Sequence, residues 1–423
     1  MMKPHRMSTN KPNRRDHIVA PPDCTGCSLC ANVCGHDAIT MVWSEEGFLI
    51  PQVDEAACVG CGLCVLKCPA LQERPKVQDE LRDSVPTFGA WHRDAEVHRA
   101  SSSGGVFTAL ASWVLAQGGC VFGVVWRDKL TAVFTKAESM EEVMPMRGSK
   151  YTTAMPLFAY REVKAELKKG RRVLFTGTPC QVHALRRYLV KDYANLLTFD
   201  IVCHGVPSHL LLEKYVREAE QEAGQEVSYV SFRGKRDSWK RFDQVCHFAD
   251  GSERVCYLGE DEYMKVFLSD LALNQCCYNC RYAHFPRQGD LTLGDFWGAD
   301  LLHADWPIRD GITVLLANSP KGLEAMHEVK GSVETAQVPF DEVYRFQGVV
   351  FVRPHKELPR QRAEALEHLR GAQSLKSWIR LFPHLRYFGP FRVNTRSLLY
   401  RILRIPPRLM RSLRRRLRGR GQR

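Results

Sequence analysis

Eight cysteines stand in two runs of one spacing: Cys24, Cys27, Cys30 and Cys34, then Cys58, Cys61, Cys64 and Cys68. Each run reads C-x2-C-x2-C-x3-C. In this pattern three thiolates wrap one cubane 4Fe–4S cluster and the fourth serves its neighbour. The spacing therefore predicts one cluster on Cys24, Cys27, Cys30 and Cys68, and a second on Cys58, Cys61, Cys64 and Cys34. Structural zinc pairs two C-x2-C knuckles and has no use for a third cysteine two residues on. Disulfides need an oxidising compartment, and residues 1–19 are basic and polar with no apolar stretch typical of a secretory signal. Sixteen cysteines in all then favour metal sites in a cytoplasmic protein.

Two further segments suit an anion. Ser101-Ser102-Ser103-Gly104-Gly105 precedes an apolar helix, where hydroxyls and backbone N–H groups meet the positive helix end. Thr176-Gly177-Thr178-Pro179-Cys180-Gln181 lies between an expected strand and helix, at the strand's carboxyl end, where open α/β sheets bind ligands. Either segment alone is equally consistent with ordinary turn and capping chemistry. Cys180 and Cys203 follow apolar strands, and Cys277 and Cys280 form a lone C-x2-C beside Cys276. Spacing leaves two readings open for them, a third cluster or buried thiols. Cys120, Cys246 and Cys256 fall within apolar strands and read as core thiols.

The positioning elements divide the 423 residues into several parts. Residues 1–19 read as a disordered N-terminus, and residues 20–72 as an α+β ferredoxin-like dicluster unit with a hairpin near Thr40 to Ile50. A polar linker follows at 73–86. From residue 87 to 335 strands and helices alternate, which argues an α/β domain with a largely parallel or mixed sheet. Strands are expected at 120–126, 171–176, 196–202, 227–233, 290–294 and 312–317. Helices are expected at 104–117, 157–169, 180–190, 208–223, 260–273 and 320–330. A hairpin around Asp250-Gly251 interrupts the alternation. The uncharged stretch from Ala100 to Trp126 is broken by Gln117-Gly118-Gly119 and reads as a buried helix, turn and strand rather than a membrane span. Residues 336–384 read as a peripheral helical region.

Five ordered motifs then carry a resemblance: Ser102-Ser103-Gly104-Gly105-Val106-Phe107, Met146-Arg147-Gly148-Ser149-Lys150-Tyr151, Gly177-Thr178-Pro179-Cys180-Gln181-Val182, Asp200-Ile201-Val202-Cys203-His204-Gly205-Val206-Pro207, and Gly289-Asp290-Leu291-Thr292-Leu293-Gly294-Asp295-Phe296-Trp297-Gly298. Residues 20 to 335 resemble the beta-subunit family of coenzyme F-420 hydrogenases and dehydrogenases, which includes plant-type hydroxymethyl-chlorophyll reductases. The resemblance implies an FAD-dependent iron–sulfur oxidoreductase. It implies a third 4Fe–4S cluster on Cys180, Cys203, Cys277 and Cys280. It implies flavin contacts from Ser102, Ser103, Gly104 and Gly105, from Gly148, Ser149, Lys150 and Tyr151, and from Thr176, Gly177, Thr178, Pro179 and Gln181. Lys150, as a cation beside the flavin, and His204, as a proton donor, are the expected catalytic residues; His183 is a weaker candidate for the same proton role.

The expected function is electron transfer between a ferredoxin-type donor and a small-molecule substrate through the clusters and FAD. The rival is a non-catalytic electron-transfer subunit of a larger redox complex. Charge adds one more feature. Of 60 Lys and Arg, thirteen Arg lie in residues 385–423, which contain no Lys, Asp or Glu; the rest of the chain is balanced at 47 basic against 47 acidic residues. Leucines interleaved with these arginines on either side of Pro406-Pro407 give short basic amphipathic segments. They predict peripheral attachment to an anionic membrane surface; a basic tail without a fixed partner is equally open, and nucleic acid is a third reading that only the tail suggests.

Overall fold

The structure is a computed structural model that describes residues 18–351 and 358–382. The Arg-rich tail at 385–423 and residues 1–17 lie outside the described residues. Ile18 and Val19 are buried against Cys24, Cys68 and Ile39.

The dicluster unit opens the described chain. Its two cysteine runs each contain a short helix, Leu29–Val33 and Leu63–Lys67. Between them an antiparallel hairpin joins β1 (Ile39–Trp43) to β2 (Leu49–Val53), where the sequence places it. Both helices start from a left-handed residue, Ser28 at φ 58° and Gly62 at φ 74°.

Nine strands form the main sheet among the described residues: β3 (Thr87–His92), β4 (Cys120–Trp126), β5 (Ala132–Ala137), β6 (Ala154–Met155), β7 (Val173–Gly177), β8 (Leu196–Ile201), β12 (Leu291–Asp295), β13 (Thr313–Ala317) and β14 (Val333–Gln337). Their order is β14-β3-β13-β12-β8-β7-β4-β5-β6. The central run β12-β8-β7-β4 is parallel, and antiparallel strands extend it on both sides. Central strands are continuous apolar runs because helices cover both faces. Val121 of β4 faces the helix Val106–Ala116, while Cys120 and Phe122 face the helices Ala159–Lys168 and Pro179–Leu189, as the two-residue period of a strand requires.

The expected strand at 227–233 forms, but outside the main sheet. As β9 (Val227–Gly234) it pairs with β10 (Asp243–Phe248), which pairs with β11 (Glu253–Tyr257), in a separate antiparallel sheet. The helix expected at 260–273 ends at Leu268. Helices Arg362–Arg370 and Leu375–Leu381 pack under this second sheet, with Leu366, Leu369 and Trp378 in the core of Tyr215, Phe232 and Tyr263. No described helix is long and apolar enough to cross a membrane.

The α/β body grips the dicluster unit by its backbone carbonyls. Tyr160 Oη donates to Cys27 O at 2.8 Å, Asn274 Nδ2 to Cys24 O at 3.1 Å, and Asn32 Nδ2 reaches back to Leu157 O at 2.7 Å. Arg161 donates to the carbonyls of Ala31, Asn32 and Cys34. Arg187 and Arg281 do the same for Lys67, Ala70 and Gln72 around the second run. Gly47, in the hairpin turn, lies so close to the helix His209–Ala223 that a Cβ would fall 2.6 Å from Ser208 Oγ.

Candidate active site and electron path

A cavity of about 990 Å³ opens at the carboxyl ends of the parallel strands, a size typical of ligand sites and a position typical of open α/β sheets. The three loops singled out by sequence all line it: Ser102, Ser103 and Gly105 from the first, Gly148 to Tyr151 from the second, and Thr176, Gly177, Thr178 and Gln181 from the third. Cys180, Cys203 and His204 line it too. The loops brace one another. Ser102 Oγ accepts from Ser149 N at 2.9 Å, and Gln181 Nε2 donates to Ala154 O at 3.0 Å.

Gly104 and Pro179 are not part of the lining, and their local roles are structural. A Cβ on Gly104 would stand 2.1 Å from Ala90 O, and its N–H donates to Thr313 Oγ1 at 2.8 Å. Its smallness serves strand packing rather than approach of a phosphate. Gly105 caps the helix Val106–Ala116 at φ 87°, a conformation that disfavours other residues. Pro179 opens the next helix behind a capping box of Thr178 and Gln181.

Lys150 is half-buried. Its Nζ donates to Pro145 O at 2.8 Å and Arg147 O at 3.0 Å, and burial pushes its ammonium down to about 7. His204 Nε2 lies 2.7 Å from Asp270 Oδ1, and its ring packs on Phe267 at 4.9 Å. Sequence reasoning missed several neighbours. Thr152 and Thr153 line the cavity with buried hydroxyls that find no hydrogen-bond partner among the described residues. Arg233, 8% exposed, pairs with Asp295 at 3.0 Å, lies over Phe242 at 4.0 Å and donates to Ser102 O at 3.1 Å. Lys235, which does not line the cavity, donates to His98 O and Ser103 O from behind the same loop. Both cations come from the end of β9, a strand whose membership of a second sheet has no local signature. Among the described residues, six cations and one carboxylate, Asp295, line the cavity. That balance attracts anions.

The cysteines gather in three sets. Cys24, Cys27, Cys30 and Cys68 border one small gap under Ile18, Val19 and Met41. Burial pushes the Cys24 thiol up to about 12, and the charges of Cys27 and Cys68 add to the effect. Cys30 is raised in the same way, by burial and then by Cys27, Cys24 and Cys68. So the first three cysteines of run one meet the last of run two. Cys64, raised first by burial, feels Cys61 and Cys34, while Cys58 and Cys61 are exposed. The third set adjoins the cavity. Burial raises Cys180, with Cys203, Cys280 and Cys27 adding to it. Cys280 is raised by burial and by Cys277. Cys276 belongs to the same neighbourhood and points its thiol to Cys24 O at 3.5 Å. Backbone N–H groups aim at these sulfurs, Gly26 at Cys24, Val206 at Cys277 and Tyr282 at Cys280, each at 3.4 Å. Such donors stabilise thiolate ligands. No group of three or more metal-ligating side chains converges on a single-ion site among the described residues. The first set borders a small gap, and the 4Fe–4S reading of the others rests on their spacing and motifs.

Family comparisons fall on the same segments. The model for the N-terminal part of the coenzyme F420 hydrogenase/dehydrogenase beta subunit matches residues 87–160, and that for its C-terminal part matches residues 170–341. The chain belongs to this family. A 4Fe-4S dicluster domain matches residues 23–71, so the beta-subunit fold here carries an iron–sulfur module at its front. An uncharacterized protein of Methanocaldococcus jannaschii is 23% identical over 217 residues, 44% of this chain. The match spans 58% of that curated relative's length. Among solved structures, the F420-reducing NiFe hydrogenase complex of Methanosarcina barkeri contains a chain that is 18% identical, with a TM-score of 0.45, over 67% of this chain and 89% of that one. The chain is thus an iron–sulfur member of a family of oxidoreductase subunits, consistent with electron transfer.

Proposed function

We propose that this protein is an iron–sulfur flavoprotein oxidoreductase that exchanges electrons between a ferredoxin-type protein and a small-molecule substrate. The observation that carries the reading is the cavity itself. It joins the two anion-suited loops, the Gly148 to Tyr151 loop, a cationic lining and two cysteines of the third set in one space. Cys24, Cys27, Cys30 and Cys68 would hold the inner cluster of the dicluster domain, Cys58, Cys61, Cys64 and Cys34 the outer one, and Cys180, Cys203, Cys277 and Cys280 a third. FAD, held by the three loops, would supply the exchange between paired and single electrons that clusters lack.

The chain's own residues do the rest. Arg233, Lys150 and the helix start at Val106 offer positive charge to a diphosphate. Thr152 and Thr153 offer unused hydroxyls to a polar ring edge. His204, oriented by Asp270, stands on the cavity wall where a proton could be given or taken. Tyr160 donates to Cys27 O at 2.8 Å, and both Tyr160 and Tyr282 lie near Cys27 and Cys180. Iron, sulfide and flavin analysis after anaerobic purification, followed by a screen of electron acceptors, tests the reading. A chain without flavin would sink it.

A non-catalytic subunit of a larger redox complex is the second reading. Val59, Leu63, Leu66 and Leu71 are exposed around the outer cysteines, an apolar surface fit for a protein partner. Turnover of a small acceptor by the isolated chain separates the two. The basic tail at 385–423 we assign to reversible contact with an anionic membrane surface, because its arginines alternate with leucines.

A further inference from the structure

Part of the cavity wall comes from the helix Phe340–Phe351, most of which lies beyond residue 341, where the family match ends. Tyr344, Arg345, Phe346 and Gln347 all line the cavity. The helix is pinned there. The Phe346 ring fills the space beside Gly298, where a Cβ would fall 2.3 Å from it, and Tyr344 stacks under Arg82 at 4.8 Å. It is also kinked, since Gln347 departs from helical geometry at φ −145° and ψ 20°. Gln347 is 7% exposed, and its Nε2 finds no hydrogen-bond partner among the described residues. A buried amide nitrogen without an acceptor is costly in a folded chain and calls for a partner. Beside it, Trp297 stacks on Trp239 at 4.7 Å and carries Arg233 at 5.8 Å, giving a flat aromatic wall with positive charge.

We propose that Gln347 is a specificity-determining residue. Its amide donates a hydrogen bond to a carbonyl or carboxylate oxygen of a planar, anionic substrate lying along the Trp297 wall. The proposal rests on the oxidoreductase reading, which leaves this wall for the substrate once the loops hold the cofactor. Gln347 does not touch the cysteine sets or the three loops through any hydrogen bond described above, so its role is recognition rather than assembly.

The test uses two probes of one shape and charge, 9,10-anthraquinone-2-sulfonate and anthracene-2-sulfonate. Only the first has ring carbonyls. Binding to the full chain, purified anaerobically, is measured by calorimetry, with flavin and iron content determined on the same sample. The wild type should bind the quinone at least tenfold more tightly, about the worth of one well-made hydrogen bond. Gln347→Met, close in volume, should lose most of that preference while keeping iron and flavin. Gln347→Glu should lose affinity for both probes, because a carboxylate repels the sulfonate and accepts rather than donates. Equal wild-type affinities, no binding of either probe, or an unchanged preference in Gln347→Met overturns the proposal. If Gln347→Met fails to fold, the wild-type preference and Gln347→Glu decide. Missing flavin in a wild type that still prefers the quinone would overturn the cofactor reading and leave this one standing.

Discussion

Arg161 should control how firmly the dicluster unit is held. Its guanidinium donates to Asn32 O at 2.9 Å, to Ala31 O at 2.9 Å and to Cys34 O at 2.6 Å, and pairs with Asp37 at 2.7 Å. Ala31 and Asn32 lie in the last turn of the helix Leu29–Val33, where carbonyls have no partner within the helix. A cation there also complements the negative helix end. Cys34 belongs to the outer set. Hydrogen bonds to a charged donor contribute about 1.5–3 kcal/mol each when buried. The Arg161 side chain is 31% exposed, so about 1 kcal/mol per carbonyl is a safer figure, roughly 3 kcal/mol for the three. The Asp37 partner is 66% exposed and adds little. Arg161→Met keeps the stem and removes all of these donors. Local opening of residues 28–37 should then become about a hundredfold more frequent, measured by backbone hydrogen exchange under anaerobic conditions. Asp37→Asn should change exchange less than threefold. If Arg161→Met also stays within threefold of wild type, the carbonyl grip does not hold the unit and the reasoning fails.

Three clusters require about twelve irons per chain and the dicluster domain alone about eight; Cys203→Ser should lower the anaerobic iron content by about four, and an unchanged content would make Cys203 a plain thiol. Lys150, pushed down to about 7 by burial, is charged below that pH and neutral above it. FAD affinity of the flavin-depleted protein should therefore weaken as pH rises from about 6 to 8, and Lys150→Met should flatten the profile; an equal slope in the variant would assign the titration elsewhere, Lys235 being also pushed down to about 7. Full-length protein should sediment with anionic vesicles at low salt and chain truncated at residue 384 should not; equal sedimentation removes the membrane role of the tail.

The cysteine runs and the three loops were more legible in the sequence than the walls around them. Cysteine spacing is fixed by cluster geometry, so the crossing of Cys68 onto Cys24, Cys27 and Cys30 could be read in advance. The central strands β4, β7, β8 and β12 were legible because burial on both faces demands unbroken apolar runs. Strand direction was not. The apolar run of β13 looks like its parallel neighbours, yet it lies antiparallel between β12 and β3. Nor could alternation show that β9 leaves the main sheet. Arg233 and Lys235 follow from that departure, because only the second sheet brings its strand end behind the Ser102 loop. Gln347 was hidden for a different reason. Its unused amide depends on the packing around its side chain, which Gly348 beside the kink does not disclose in the sequence.

The three cysteine sets also differ in shelter. Cys58 and Cys61 face solvent, Cys24, Cys27 and Cys68 are buried, and the third set lies beside the cavity. Damage should therefore be graded. On the proposed assignment, dioxygen and chelators would reach the outer cluster first, and its loss would leave the carbonyl grip on residues 24–30 intact. A partly inactivated molecule would keep its interior centres while disconnected from its partner, and rebuilding one exposed cluster from iron and sulfide would reconnect it without unfolding. In that reading the outermost centre would behave as a replaceable fuse for the proposed centres behind it.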